Sequence, residues 1–168
     1  DRSRGLGDVY KRQQWDYVNR HLNILSGFYG VLCPSDAVIP YRLEMQARLS
    51  VKGKKDLYDF WGDRLYRELT EEDHLIINLA SREYSKAVEK YLTPEDRFIT
   101  VEFGQLKDGK VKQKATLAKM ARGEMVRFMA ENNVCDPEDI KTFQALGFRY
   151  SEERSDKNKM IFLAEQDK

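Results

Sequence analysis

Residues 97–131 read RFITVEFGQLKDGKVKQKATLAKMARGEMVRFMAE, and this stretch decides the fold. Arg97 to Leu106 and Lys110 to Thr116 are strand-like runs on either side of Lys107-Asp108-Gly109. Asp-Gly between such runs predicts a hairpin, because glycine takes positive φ at little cost. The period then changes. From Thr116 to Asn132 the apolar residues Leu117, Ala121, Met125 and Phe128 recur at three and four, which predicts a helix with that stripe in the core.

Downstream, Asp136-Pro137-Glu138 opens another helix, with Asp136 as cap and Pro137 in the first turn. Gly147 to Ser151 and Met160 to Ala164 read as closing strands. Upstream, Ser81 to Tyr91 is a short helix capped by Ser81, and Leu75 to Leu79 is an apolar run without alternation, as in a central strand buried on both faces. Asp56 to Leu69 predicts one helix with Leu57, Phe60, Trp61, Leu65 and Leu69 on one side and Asp56 capping its start. Tyr41 to Val51 reads as extended, Cys33 to Asp36 as a turn and Phe28 to Leu32 as a short strand. Gln14 to Leu25 carries a helical stripe of Trp15, Val18, Leu22 and Leu25, stopped by Gly27 and Gly30. The expected class is α/β in the mixed α+β sense: a central mixed sheet, antiparallel hairpins towards the C-terminus, and helices covering it, as part of a larger single domain.

At 168 residues, 34% of them charged, the length suits one domain. Mean hydropathy is −0.69, and no apolar run reaches the roughly 18–20 residues of a membrane helix. Two distant cysteines, Cys33 and Cys135, exclude a disulfide scaffold and a four-cysteine zinc site, and a reducing cytoplasm is the expected setting. Residues 1–13 are expected to be non-native, since Asp8-Val9-Tyr10-Lys11-Arg12-Gln13 matches one reading frame of a transposase adapter used in sequencing libraries. Residues 14–168 then form the native portion. Without the first thirteen residues, 25 basic residues face 26 acidic ones, so any electrostatic argument must be local.

No phosphate-loop, dinucleotide-binding, zinc-protease or nucleophile-elbow motif is present. Charge is concentrated instead. Between Gln105 and Met129, seven basic residues (Lys107, Lys110, Lys112, Lys114, Lys119, Arg122 and Arg127) face two acids, Asp108 and Glu124. Lys110, Lys112 and Lys114 would share one face of a strand, with Lys119 and Arg122 one helical turn apart off the core stripe. Such a surface either tracks a phosphate backbone or is a solvated edge strand guarded by lysines. Arg42 and Glu44 share a face if extended, giving either a structural ion pair or a guanidinium held ready for an anion. His21 reads as a helix residue satisfied in the core rather than as a base.

Five strings in order resemble the YaaA family of bacterial peroxide-stress proteins. They are Leu25 to Leu32 (LSGFYGVL), Pro40 to Met45 (PYRLEM), Lys55 to Gly62 (KDLYDFWG), Ile77 to Ser81 with Glu83-Tyr84, and Ala118-Lys119 with Ala121-Arg122-Gly123 and Arg127-Phe128. The resemblance runs from Trp15 to near the C-terminus and covers roughly the last three-fifths of such a protein. It implies a cytoplasmic protein of the hydrogen peroxide response that limits iron-driven damage and binds DNA through a basic cleft. It also implies a helix-hairpin-helix element, expected in the absent N-terminal part. On the matching strings the cleft residues would be Arg42, Lys54, Lys55, Lys119, Arg122 and Arg127, with Lys112 and Lys114 added from the charge pattern. The chain departs from the family at Cys33, where arginine is usual, and at Met120, where lysine is common. Either change weakens the cleft. This reading needs no cofactor or metal and makes duplex DNA the partner. The alternative is an enzyme on a small anionic metabolite, with Arg42 as anchor and Glu44 or Asp63 as acid or base.

Overall fold

The computed structural model describes residues 11–36 and 43–165, which divide into two compact units. One unit holds the residues up to Leu22 and from Ile99 onward, the other Asn23–Phe98. The fold is mixed α/β, as its sequence pattern requires.

The first unit is built on the predicted hairpin. Strand β4 (Arg97–Lys107, entering this unit at Ile99) turns at Asp108 and Gly109, both at positive φ, into β5 (Lys110–Lys112). Lys107 pairs with Lys110 across the two-residue turn, the geometry that Asp-Gly favours. Gly104 sets how closely β5 lies on β4: a Cβ there would meet Val111 Cγ1 at 2.6 Å and Lys112 O at 2.9 Å. On its other side β4 pairs in parallel with β8 (Lys159–Ala164), Val101 opposite Met160 and Phe103 opposite Phe162. Strand β7 (Phe148–Tyr150) pairs antiparallel with β8, and β6 (Gln144–Ala145) with β7. The sequence reading placed the two closing strands but not β6, which is too short for a periodicity to appear.

The core of this unit is aromatic. Phe103 lies against Phe143, Phe148 and Phe162 with ring centroids 5.3–5.8 Å apart, and all four rings are almost fully buried. Each such side chain removed from water contributes roughly 1.5–3 kcal/mol. Phe143 ends the predicted helix after Asp136, which is a 3-10 helix, Pro137–Thr142, with Asp136 accepting from the Glu138 N–H at 3.0 Å. The long helix, Ala115–Glu131, buries Ala118, Ala121, Met125 and Ala130. Its stripe is therefore rotated from the predicted one, and Leu117 and Phe128 sit at the half-buried margins. Helix α1, Arg12–His21, packs Tyr17 and Val18 on Ala130, Val126 and Met129 of this helix. Tyr17 donates to the Val134 carbonyl at 2.7 Å, and burial pushes its hydroxyl up to about 12. The helix begins at Arg12, inside the segment expected to be non-native, and ends before Leu25. His21 is exposed and stacks beside Tyr17 at 4.4 Å rather than entering the core.

The second unit opens with a hairpin, β1 (Ile24–Ser26) and β2 (Gly30–Leu32). The glycines expected to stop a helix shape this turn instead. Gly30 is at φ 85°, and a Cβ there would strike the Trp61 ring at 2.9 Å. Trp61 Nε1 closes the contact by donating to Gly27 O at 2.9 Å. Residues 43–50 form no strand, contrary to the extended reading, yet Met45 is fully buried with Leu57, Leu65, Ala87 and Val88. The single helix expected over Asp56 to Leu69 is two: α2 (Leu57–Trp61) and α3 (Arg64–Leu69), parted at Gly62, which lies at φ 53°. Asp56 caps α2 as predicted, accepting from Asp59 N–H at 2.8 Å. Strand β3 (Leu75–Asn78) is only half-buried over its first three residues, so it is not buried on both faces. Helix α4 (Arg82–Glu89) starts at Ser81, whose side chain makes no capping bond. The long helix Ala115–Glu131 of the first unit is α5 in chain order.

Candidate functional site

The basic surface of the first unit begins on the β4–β5 hairpin. Lys107, Lys110 and Lys112 are exposed, and none has a carboxylate partner among the described residues. Strand β5 ends at Lys112, so Lys114 is not its next outward residue but the N-cap position of α5. The three lysines expected on one strand face are therefore divided between a strand and a helix start. Lys119, on the first turns of α5, is exposed.

Arg122 differs from the reading made of it. It is half-buried, and desolvation lowers the pKa of its guanidinium. Arg127 is exposed but engaged, its Nε 2.8 Å from Glu131 Oε1 across one helical turn. Lys107, Lys110, Lys112, Lys114 and Lys119 thus carry no ion pair among the described residues, whereas Arg127 is already paired on its own helix.

One contributor was missed. Arg154 Nη1 donates to Gly109 O at 2.9 Å, which fixes a further guanidinium at the tip of the hairpin. Forty-five positions separate the two residues, so no local pattern could have linked them.

Lys54 and Lys55 belong to the other unit. Lys54 closes a tight turn, its N–H donating to Val51 O at 2.9 Å and its own carbonyl accepting from Val51 N–H at 3.1 Å. Lys52 and Gly53, both at positive φ, form that turn. Lys54 and Lys55 are exposed. Arg42 lies outside the described residues, and with it the anchor of the alternative enzymatic site. Of that site's acids, Glu44 is exposed and Asp63 is bound by Arg67 Nε at 3.1 Å, with both side chains of that pair half in solvent.

The most tightly tied polar group is elsewhere. Asp96, whose side chain is fully covered, accepts from Tyr66 Oη at 2.6 Å, Thr93 N–H at 2.8 Å and Thr93 Oγ1 at 3.1 Å, and pairs with His74 Nδ1 at 2.6 Å. Burial alone would raise this carboxyl; the hydrogen bonds outweigh it and hold it at about 2. The same bond raises His74 above its ordinary value. The cluster joins α3, β3 and the approach to β4, and Arg97 N–H donates to His74 O at 2.8 Å beside it. No group of three or more histidines, cysteines or acids suited to a metal ion occurs among the described residues. Cys33 and Cys135 are free and exposed. Among the described residues, no helix is long and apolar enough to cross a membrane.

Residues 7–154 match the family model described as peroxide stress protein YaaA. The chain is 56% identical over 155 residues to a UPF0246 protein of Desulfitobacterium hafniense, covering 92% of this chain and 62% of that relative. It is 53% identical over 154 residues to a UPF0246 protein of Agathobacter rectalis, with the same coverage, and 51% identical over 156 residues to one of Lactiplantibacillus plantarum, covering 93% and 63%. The chain thus spans just over three-fifths of the length of these relatives.

Proposed function

The chain belongs to the peroxide stress protein YaaA family, and from that membership we propose that it serves the cytoplasmic response to hydrogen peroxide by binding duplex DNA through its phosphates. The observation that carries the binding reading is the run of lysines without an ion-pair partner among the described residues over the β4–β5 hairpin and the start of α5: Lys112, Lys114 and Lys119, flanked by Lys107 and Lys110. Ammonium groups on flexible stems suit a backbone of repeating charge and carry no base code of their own. Lys54 and Lys55, exposed on the other unit, offer phosphate contacts of their own. The half-buried Arg122 and the engaged Arg127 serve as lesser contacts.

Phosphate binding also accounts for restraint of iron damage without an iron site. A phosphate neutralised by lysine releases its condensed cations, iron(II) among them, so fewer radicals form against the sugar. Neither a metal nor a cofactor enters this mechanism.

The test is the salt dependence of duplex binding, measured with this chain and with a full-length relative. Replacing Lys112 and Lys119 by alanine should weaken duplexes of unrelated sequence alike. The slope of log affinity against log salt should fall by about 0.9 per lost contact. An unchanged slope and affinity would remove the hairpin and α5 from the interface.

A further inference from the structure

Helix α4 presents Lys86 and Ala87 along one side, its C-cap Lys90 and then Tyr91 follow at its end, and Tyr58 of α2 lines the same cavity. These five residues line an open cavity of about 250 Å³ within the Asn23–Phe98 unit. Its two cations are held over its two rings: Lys86 Nζ lies 4.7 Å from the Tyr58 ring centroid and Lys90 Nζ 5.5 Å from that of Tyr91. Neither ammonium has a carboxylate partner among the described residues. Tyr58 is itself fixed, its hydroxyl donating to Glu83 O at 2.6 Å.

We propose that this cavity binds a free phosphate monoester carrying one flat ring, of the size and kind of a nucleoside monophosphate. As the phosphate draws an ammonium off its tyrosine, the freed ring face beside Ala87 takes the flat ring, where stacking needs no sequence-specific contact. The phosphate takes the lysines, spaced one helical turn apart. Orientation follows from the acids nearby. Glu83, whose carbonyl holds the Tyr58 hydroxyl at 2.6 Å, and Asp56, the cap of the helix that carries Tyr58, put two acids at that end, so an anion is repelled from it and settles against Lys90. At about 250 Å³ the open cavity is just below the size at which ordinary ligand sites begin, near 300 Å³, so it suits a small ligand that stays partly in solvent. The site belongs to the unit that does not carry the α5 lysines and does not depend on duplex binding.

Calorimetric titration of this chain with adenosine 5′-monophosphate, adenosine and inorganic phosphate tests it. The monophosphate should bind with a dissociation constant below about 1 mM, and at least about tenfold tighter than either half alone. Lys90→Gln should weaken it about tenfold, the scale of one charge-assisted hydrogen bond, and more than Lys86→Gln does. Lys90→Arg should retain binding, and Tyr91→Leu should bring the monophosphate down to the affinity of phosphate. Duplex affinity should stay level in all four. Absence of monophosphate binding, equal affinity for inorganic phosphate, or full affinity in Lys90→Gln would each overturn the proposal. The three-ligand comparison on the unaltered chain decides even where a variant folds poorly.

Discussion

Asp96 shows how much a single carboxylate can tie together. Its depressed pKa contributes stability that is present above the ordinary carboxylate value near 3.8 and is lost as pH falls towards about 2. His74 has the opposite sign: its pKa is raised, so its contribution is present below about 6.5 and is lost as pH rises through the raised value. Asp96→Asn should therefore lower Tm at pH 7, flatten the acid limb between about pH 4 and 2, and return His74 towards its ordinary titration. Thermal melts across pH and the proton resonance of the His74 ring check all three; an unshifted His74 would mean that the pair does not form in solution. Gly104 offers a second test at this scale. Gly104→Ala sets a methyl against the backbone of β5, and overpacking of this kind costs about 1–3 kcal/mol. A denaturant midpoint equal to that of the unaltered chain would contradict the close approach.

At the scale of elements, the hairpin was legible because Asp108-Gly109 encodes a backbone conformation and not only a hydrophobic pattern. The break at Gly62 was not legible. Leu57, Phe60, Trp61, Leu65 and Leu69 keep the same spacing whether or not the helix continues, so periodicity cannot detect it. Gly62→Ala should favour the unbroken helix that the pattern describes, at the expense of the Arg64 geometry. The Arg64 guanidinium stacks 4.9 and 4.8 Å from the Phe60 and Trp61 rings and donates to the Phe60 carbonyl at 2.6 Å. A lower Tm with unchanged or higher helical ellipticity is expected, and a higher Tm would show that the break has no stabilising role. The half-burial of Arg122 was equally hidden. One rotation of the stripe, from Leu117 to Ala118, moves that arginine from the outer face to the margin, and small alanines mark the buried line less clearly than leucine does. In the site, the charge count was visible in the chain, but ion pairing was not: Arg127 and Lys119 look alike until Glu131 is placed.

Across the whole molecule, the two units rest on different kinds of core. The first depends on four phenylalanines drawn from β4, β7, β8 and the end of the 3-10 helix; the second on aliphatic residues and Met45 gathered by three short helices and a buried irregular segment. Phe162→Ala should cost about 3–5 kcal/mol and Leu65→Ala about 2–5 kcal/mol. Hydrogen exchange should localise each loss: faster exchange in β4, β8 and α5 for the first, and in α2 to α4 for the second. Equal loss of protection throughout in both variants would show a single cooperative unit. The sequence could suggest which segments were strands but not that β8 joins β4 in parallel, because a partner so far along the chain leaves no local trace.

The order of the pieces along the chain has a consequence for synthesis. Helix α1 is made before its seat, at Val126, Met129 and Ala130 of α5, which follows more than a hundred residues later. At about 5–20 residues per second, the ribosome leaves Tyr17, Val18 and Leu22 without that seat for roughly 5–20 s. In the same interval the contiguous stretch Asn23–Phe98 emerges complete and has all of its own core at hand. The nascent chain therefore has a defined period of vulnerability, in which the apolar face of a largely polar helix waits uncovered while a collapsible segment follows it. Holdase chaperones would find Tyr17 and Val18 uncovered then, whereas both are buried in the finished protein.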